Sequence, residues 1–138
     1  MMRQQINRRK KLRGGQIAAY VVLLIHGKVK TVLKQMMDME VDALDPMEAP
    51  PSGDCTIQEA KEICGNKICL FGNIQLKDLE TQTAARMRET VKELVKEGKP
   101  NGNFCVLPTA TPLNVPLSPR TEENFRVLID TVREFGVY

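Results

Sequence analysis

Four apolar runs of this sequence are each followed by a polar residue that could take part in chemistry. His26 comes after the first run, Asp45 and Glu48 after the second, Asn73 after the third and Thr109 after the fourth. His26 is the only histidine, and histidine titrates near neutrality without help from its surroundings. We therefore take His26 as the first candidate for a proton carrier, and Glu48 as its catalytic companion. Asp45, Asn73 and Thr109 are the candidate substrate-binding residues.

The segment 41–54 is the most distinctive part of the chain. It runs from a short apolar stretch into a loop that holds Pro46, Pro50 and Pro51 together with acidic side chains. Proline fixes φ and removes a backbone donor, so the loop holds its carboxylates in few positions at little entropic cost. Those carboxylates could orient a cationic or N–H-bearing substrate. The alternative is a turn that links a strand to a helix, with solvated acids that only cap backbone donors.

The other candidates also have structural alternatives. His26 could equally have a structural role, in which its hydrogen bonds close the end of a strand. Gly72-Asn73 would let the backbone approach a ligand closely, but the same pair is also a common turn. Convergence of the candidates favours the functional interpretation. Parallel α/β folds bind ligands at the carboxyl ends of their strands, where all the candidates would meet on one rim.

Periodicity predicts the elements that position these residues. Continuous apolarity predicts strands covered on both faces, and apolar residues at helical spacing predict helices between them. The predicted strands are 17–25, 42–45, 68–71 and 104–107, and the predicted helices are 28–39, one beginning near Thr56, 83–97 and one beginning at Ser118-Pro119.

This order predicts an α/β fold of four consecutive parallel β/α units, joined by right-handed crossovers. A complete (β/α)₈ barrel takes about 250 residues, so four units form half of a TIM-type barrel, or else a small open sheet. A half barrel has two uncovered edge strands. We expect it to form a homo-oligomer or to need the missing half barrel.

Several local details can be predicted as well. Thr56 and Glu59 have the spacing of a capping box, although Asp54 could cap the same helix instead. Gly72-Asn73 is expected to close the third strand. The final helix is expected to bury one apolar stripe, which consists of Phe125, Leu128, Ile129, Val132 and Phe135.

Composition points to one ordinary globular domain of 138 residues, 42% apolar and 27% charged. The longest apolar run, 17–25, has nine residues, whereas a membrane span needs about 20. We expect a cytoplasmic protein without a membrane partner.

Charge is unevenly distributed. Residues 1–13 hold six of the 20 basic residues and no acid, which leaves a net charge of −3 on the remainder. We predict a basic, disordered arm over 1–16 and a folded domain over 17–138. A basic arm can bind phosphate backbones, but this one lacks interleaved aromatic residues, so we do not expect a nucleic-acid partner.

The four cysteines, Cys55, Cys64, Cys69 and Cys105, fall at no metal-site spacing, so we expect no zinc bound by cysteine. Cys69 and Cys105 lie in predicted strands, where a reduced thiol behaves as a small hydrophobe. This usage fits a reducing compartment.

The order of motifs resembles the carboxyl-terminal half of the uroporphyrinogen decarboxylase superfamily, from about Ile17 to Tyr138. The resemblance is carried by the following segments: His26-Gly27-Lys28-Val29, the run from Asp42 to Asp54, Gly72-Asn73-Ile74, and Asn124. It implies a (β/α)₈ barrel. It also implies one of two activities: a cofactor-free decarboxylase of porphyrinogen acetate groups in porphyrin and haem biosynthesis, or a zinc-dependent methyltransferase that acts with cobalamin proteins.

Departures from the family pattern separate these activities. The methyltransferase branch uses a His-x-Cys pair and a later cysteine as zinc ligands, whereas the matching positions here are Leu24, His26 and 109–111, without a cysteine. We therefore expect no metal and no cofactor, and a tetrapyrrole or other small molecule as substrate. The decarboxylase branch keeps its substrate-gripping aspartate and arginines in an amino-terminal half that has no counterpart in this chain. A non-catalytic half barrel that oligomerises is the remaining alternative.

Overall fold

The computed structural model describes residues 20–137. These residues form one four-stranded sheet in the order β1-β2-β3-β4, and every neighbouring pair is parallel. Helices alternate with the strands, as the sequence predicts. The elements are β1 Val22–Leu24, a 3₁₀ turn Lys30–Val32, α1 Leu33–Asp38, β2 Ala43–Asp45, α2 Ile57–Cys64, β3 Cys69–Ile74, α3 Leu76–Thr81, α4 Ala84–Gly98, β4 Phe104–Pro108 and α5 Pro119–Phe135.

Local sequence signals explain where the helices begin. The capping box is present at the start of α2: the Thr56 hydroxyl accepts from the Glu59 amide, and the Glu59 carboxylate accepts from the Thr56 amide. Thr83 caps α4 in a similar way. Ser118 caps α5, and Pro119 occupies its first turn, where proline costs no hydrogen bond.

The core lies between the helices and one face of the sheet. Alternation along the strands directs Leu44, Leu70 and Ile74 to this face, and each is at most 1% exposed. They pack against helix residues that are equally buried, namely Leu33, Ile57, Leu79, Met87 and Val91.

Among residues 20–137, no helix covers the opposite face of the sheet. Register places Val22 beside Ala43 and Leu24 beside Asp45 on this face, and Val22 and Leu24 are 47% and 69% exposed. In a closed (β/α)₈ barrel this face is the packed interior. The architecture is therefore half of a TIM-type barrel, and the predicted fold class is confirmed.

The first β/α unit departs from its prediction. The strand was expected to be covered on both faces, which is wrong for β1 because Val22 and Leu24 are exposed. Residues 17–19 lie outside the described residues, as does the basic arm. The predicted helix 28–39 is shorter, since a 3₁₀ turn precedes α1.

The third unit also differs. Gly72 and Asn73 do not close the strand but lie inside β3, which pairs with β4 as far as Ile74. A side chain on Gly72 would come within 3.0 Å of the Met47 carbonyl oxygen, and its φ of +139° suits glycine. The short helix α3 follows, which periodicity did not predict.

Two burial predictions are wrong. Ile129 is 44% exposed, and α5 instead buries three polar residues, Thr121, Asn124 and Thr131. Cys105 is exposed rather than packed as a small hydrophobe, because it lies on the uncovered face of the sheet. Within residues 20–137, no helix is long and apolar enough to cross a membrane.

Candidate active site

Glu48 joins the two turns that follow β1 and β2. One carboxylate oxygen accepts a hydrogen bond from the Gly27 amide at 2.6 Å. The other lies 3.5 Å from Nδ1 of His26. The His26 side chain is 57% exposed and that of Glu48 is 14% exposed. The two predicted catalytic residues are thus neighbours. The Gly27 amide holds the carboxylate of Glu48, and the imidazole of His26 is exposed to solvent.

The loop between β2 and α2 is held by two backbone hydrogen bonds. At its start, the Met47 amide donates to the Phe71 carbonyl of β3 at 2.7 Å. Further along, the Gly53 amide donates to the Ala49 carbonyl at 2.9 Å, which folds the loop back on itself. A Cβ on Gly53 would lie 1.7 Å from the Glu48 carbonyl oxygen, so only glycine fits here. These contacts position the backbone that carries Glu48.

Asp54 also stabilises the turn that follows β1. Its Oδ1 atom accepts hydrogen bonds from the amides of Val29 and Lys30, both at 3.0 Å. Asp54 therefore does not cap α2, where Thr56 has that role. Instead it satisfies orphan donors at the start of the 3₁₀ turn that follows His26.

Three of the predicted site residues line one cleft of about 430 Å³ at the carboxyl ends of β1, β2 and β4: His26, Asp45 and Thr109. The Thr109 amide donates to the Ile74 carbonyl at 2.8 Å, and the residue is buried. Asn73 lies beside Leu107 in the register of β3 and β4 but does not line this cleft.

Sequence reasoning missed the apolar wall of the cleft. Leu24, Pro108 and Phe125 line it together with the loop 109–112. Phe125 had been assigned to the inner stripe of the last helix, and only the packing of α5 over the strand ends places it at the cleft. Pro108 and Pro112 stand at both ends of this loop in the sequence, and prolines so placed indicate a rigid strand exit; this is the one sequence signal that points to the wall.

The zinc site that the resemblance to the methyltransferase branch would imply does not fit these residues. Leu24, His26 and Thr109, at positions that resemble zinc ligands, do meet at the cleft, but only His26 offers a donor that zinc prefers. In the described part of the chain, no group of three or more His, Cys, Asp or Glu residues could hold a metal ion.

Asn124 has a structural role between α3 and α5. It is fully buried, and its side-chain amide donates to the Leu79 and Gln82 carbonyls, both at 2.9 Å. These carbonyls belong to the end of α3 and the residue after it, where helices leave acceptors unsatisfied. The side chain of Asn124 therefore links α5 to the end of α3 through hydrogen bonds.

Ion pairing, burial and hydrogen bonding shift the pKa values of several groups in the described part of the chain. The Lys30 ammonium lies 2.8 Å from the Glu59 carboxylate, and this hydrogen bond raises the pKa of Lys30 and lowers the pKa of Glu59. Among the thiols, burial raises the pKa of Cys55 and raises that of Cys64 to about 11. Cys105 behaves in the opposite way, because a hydrogen bond from the Cys69 thiol lowers its pKa to about 7.

Comparisons with known proteins agree with this fold. Residues 1–135 match the family model described as uroporphyrinogen decarboxylase (URO-D), so the match begins before Ile17, where the resemblance seen in the sequence starts. Among curated proteins, no match was found.

A solved structure described as a methyltransferase from Methanosarcina mazei is similar to the chain, with a TM-score of 0.66 and 23% sequence identity. The similarity covers 98% of this chain but 37% of that one, so the chain spans little more than a third of this neighbour's length. At this identity the likeness concerns the fold, whereas the family model covers nearly the whole sequence. The chain is a member of the uroporphyrinogen decarboxylase family.

Proposed function

We propose that the chain is the carboxyl-terminal part of a uroporphyrinogen decarboxylase-like enzyme, which removes carbon dioxide from the acetate side chains of a porphyrinogen. The observation that carries this proposal is the His26–Glu48 pair, 3.5 Å apart. It lies on the rim where (β/α)₈ enzymes bind substrate.

Decarboxylation of an acetate side chain to a methyl group requires a proton donor. When the bond between the acetate methylene and its carboxylate breaks, carbon dioxide leaves and the electron pair remains on the methylene carbon. A proton delivered to that carbon completes the methyl group. His26, exposed at the cleft, would deliver that proton. Glu48, whose carboxylate accepts from the Gly27 amide, would orient the imidazole through Nδ1.

The other predicted residues would bind substrate. The Asp45 carboxylate and the Thr109 hydroxyl belong to cleft-lining residues and suit pyrrole N–H groups or side-chain carboxylic acids. The apolar wall that includes Leu24 and Phe125 would contact the faces of the macrocycle. Asn73, on β3, would reach a substrate larger than the cleft.

The test measures porphyrinogen products after oxidation and chromatography. The comparison is between His26→Ala, Glu48→Gln and the control Gln58→Ala, which changes an exposed residue of α2. The substitutions are made in this chain and at the matching positions of a full-length relative. We expect losses of about 10²-fold or more for His26→Ala and wild-type rates for the control. Wild-type rates in both site variants of the full-length relative would refute the site assignment.

Methyl transfer with a cobalamin protein is the second candidate, supported by the fold shared with the Methanosarcina mazei methyltransferase. This activity would have to proceed without the thiol ligands of the zinc-dependent branch. An assay of methyl transfer from methylcobalamin to a thiol acceptor, monitored through the absorbance spectrum of cobalamin, distinguishes this activity from decarboxylation.

A non-catalytic role is supported by the uncovered face of the sheet. Val22 and Leu24 expose 47% and 69% of their surface there, and burying such surface favours association with a second copy or with further β/α units. Light scattering of the chain tests this role. A stable monomer would contradict self-association.

A further inference from the structure

Two thiols face each other on the uncovered side of the sheet. Cys69 lies in β3 and Cys105 in β4, which are neighbouring strands, and Phe71 is the register partner of Cys105. Cys69, two residues before Phe71, therefore points to the same face as Cys105. The two sulfur atoms are 4.0 Å apart, and Cys105 is exposed while Cys69 is 7% exposed.

The separation of the sulfur atoms bears on two uses of such a pair. A disulfide has about 2.05 Å between its sulfurs, about half of the 4.0 Å observed here between two free thiols. A shared ion with metal–sulfur distances of about 2.3 Å allows sulfurs up to about 4.6 Å apart. The separation of the two sulfurs therefore leaves room for one ion between them.

The donor set selects the kind of ion. Both donors are thiolate sulfurs, the soft ligands that favour Cu(I). Structural zinc takes four ligands in a tetrahedron, which two thiols do not supply. The ammonium of Lys61 interacts electrostatically with Cys69 and would offset the negative charge of a two-thiolate complex.

We propose that Cys69 and Cys105 form a two-thiolate binding site for a soft monovalent cation of the Cu(I) class. Binding replaces the thiol protons with one metal ion and transfers no electron, so each thiol that ligates as a thiolate releases its proton to solvent. The site is separate from the His26–Glu48 pair and does not rest on the proposed decarboxylase activity.

The test is an anaerobic titration of the reduced chain with Cu(I), in competition with the chromophoric chelator bathocuproine disulfonate. We expect about one tightly bound Cu(I) per chain, lost in Cys105→Ser. Because Cys105 is exposed, this variant should fold, which circular dichroism verifies. Cys64→Ala is the matched control: it removes a buried thiol of α2 and should keep the bound ion.

A second measurement identifies the ligands directly. X-ray absorption at the copper edge should show two sulfur neighbours in the wild type. The proposal fails if Cu(I) is not withheld from the chelator, or if Cys105→Ser retains the same stoichiometry and affinity. The proposal also fails if the pair forms a disulfide that Cu(I) does not prevent. In that case mild oxidation with glutathione disulfide removes two thiols from the wild type, with or without Cu(I), and none from Cys105→Ser.

Discussion

The Glu48 carboxylate accepts a hydrogen bond from the Gly27 amide at 2.6 Å, across 21 positions of sequence. This bond ties the turn after β1 to the loop after β2, and it leaves the second carboxylate oxygen facing His26 at 3.5 Å. The Glu48 side chain thus links the ends of two neighbouring strands and also contacts His26, the candidate proton carrier.

Replacing Glu48 should therefore destabilise the fold as well as alter the site. Glu48→Ala leaves the part-buried Gly27 amide without its charged acceptor, and we expect a loss of about 1.5–3 kcal/mol in the free energy of unfolding. Glu48→Gln keeps an oxygen acceptor, so its loss should be about 1 kcal/mol or less. Urea denaturation measures both. Equal losses in the two variants would contradict the role of the carboxylate as an acceptor.

Asp54 should be needed to order the turn after His26. Asp54→Ala removes the acceptor of the Val29 and Lys30 amides, which we expect to cost about 1–3 kcal/mol. Hydrogen exchange at these two amides should accelerate relative to the amides of α4. Asp54→Asn serves as the control because it retains one acceptor oxygen. Unchanged exchange in Asp54→Ala would show that other groups hold the turn.

Asn124 should stabilise the packing of α3 on α5. Asn124→Leu has a similar volume but leaves the Leu79 and Gln82 carbonyls without their donor, so we expect a loss of about 2 kcal/mol or more. Its neighbour Glu123 is exposed, and Glu123→Ala should stay within about 0.5 kcal/mol of wild type. Thermal and urea unfolding give the comparison. A neutral Asn124→Leu variant would show that the helix pair is held by apolar contacts alone.

Cys105 should be the most reactive thiol of the metal-free chain, with a rate that depends on pH. Its pKa is lowered to about 7 by the Cys69 thiol, so the thiolate forms as pH rises through about 7 and is lost below it. Pulsed alkylation with iodoacetamide, read by mass spectrometry from pH 5.5 to 8.5, should follow this titration. Cys55 and Cys64 are buried with raised pKa values and should react more slowly. Cys105→Ser should remove the fast phase, and a fast phase that persists would assign it to another thiol.

Much of the fold follows from short-range sequence signals. The alternation of apolar runs with helical periodicity predicted the four β/α units, and the Thr56–Glu59 capping box is present as predicted. Such signals succeed because capping and amphipathicity involve residues a few positions apart.

The errors come from contacts between distant segments. Gly72-Asn73 has the composition of a turn, yet pairing with β4 continues the strand through it, because tertiary context overrides strand propensity. Burial of Asn124 and Thr131 in place of Ile129 follows from how α5 meets α3 and α4, which the periodicity of one helix cannot specify.

The candidate site shows the same division. The sequence alone determined that His26, Asp45, Glu48 and Thr109 come at or just after the carboxyl ends of their strands, because parallel β/α order sends all strand ends to one rim. Asn73, predicted to follow its strand, lies inside β3. Only the tertiary structure decided that Glu48 reaches across to Gly27 and His26, that Phe125 closes the cleft, and that Cys69 faces Cys105. These contacts depend on sheet register and loop path, which are set by the packing of the whole chain and have no signature in the spacing of the residues themselves.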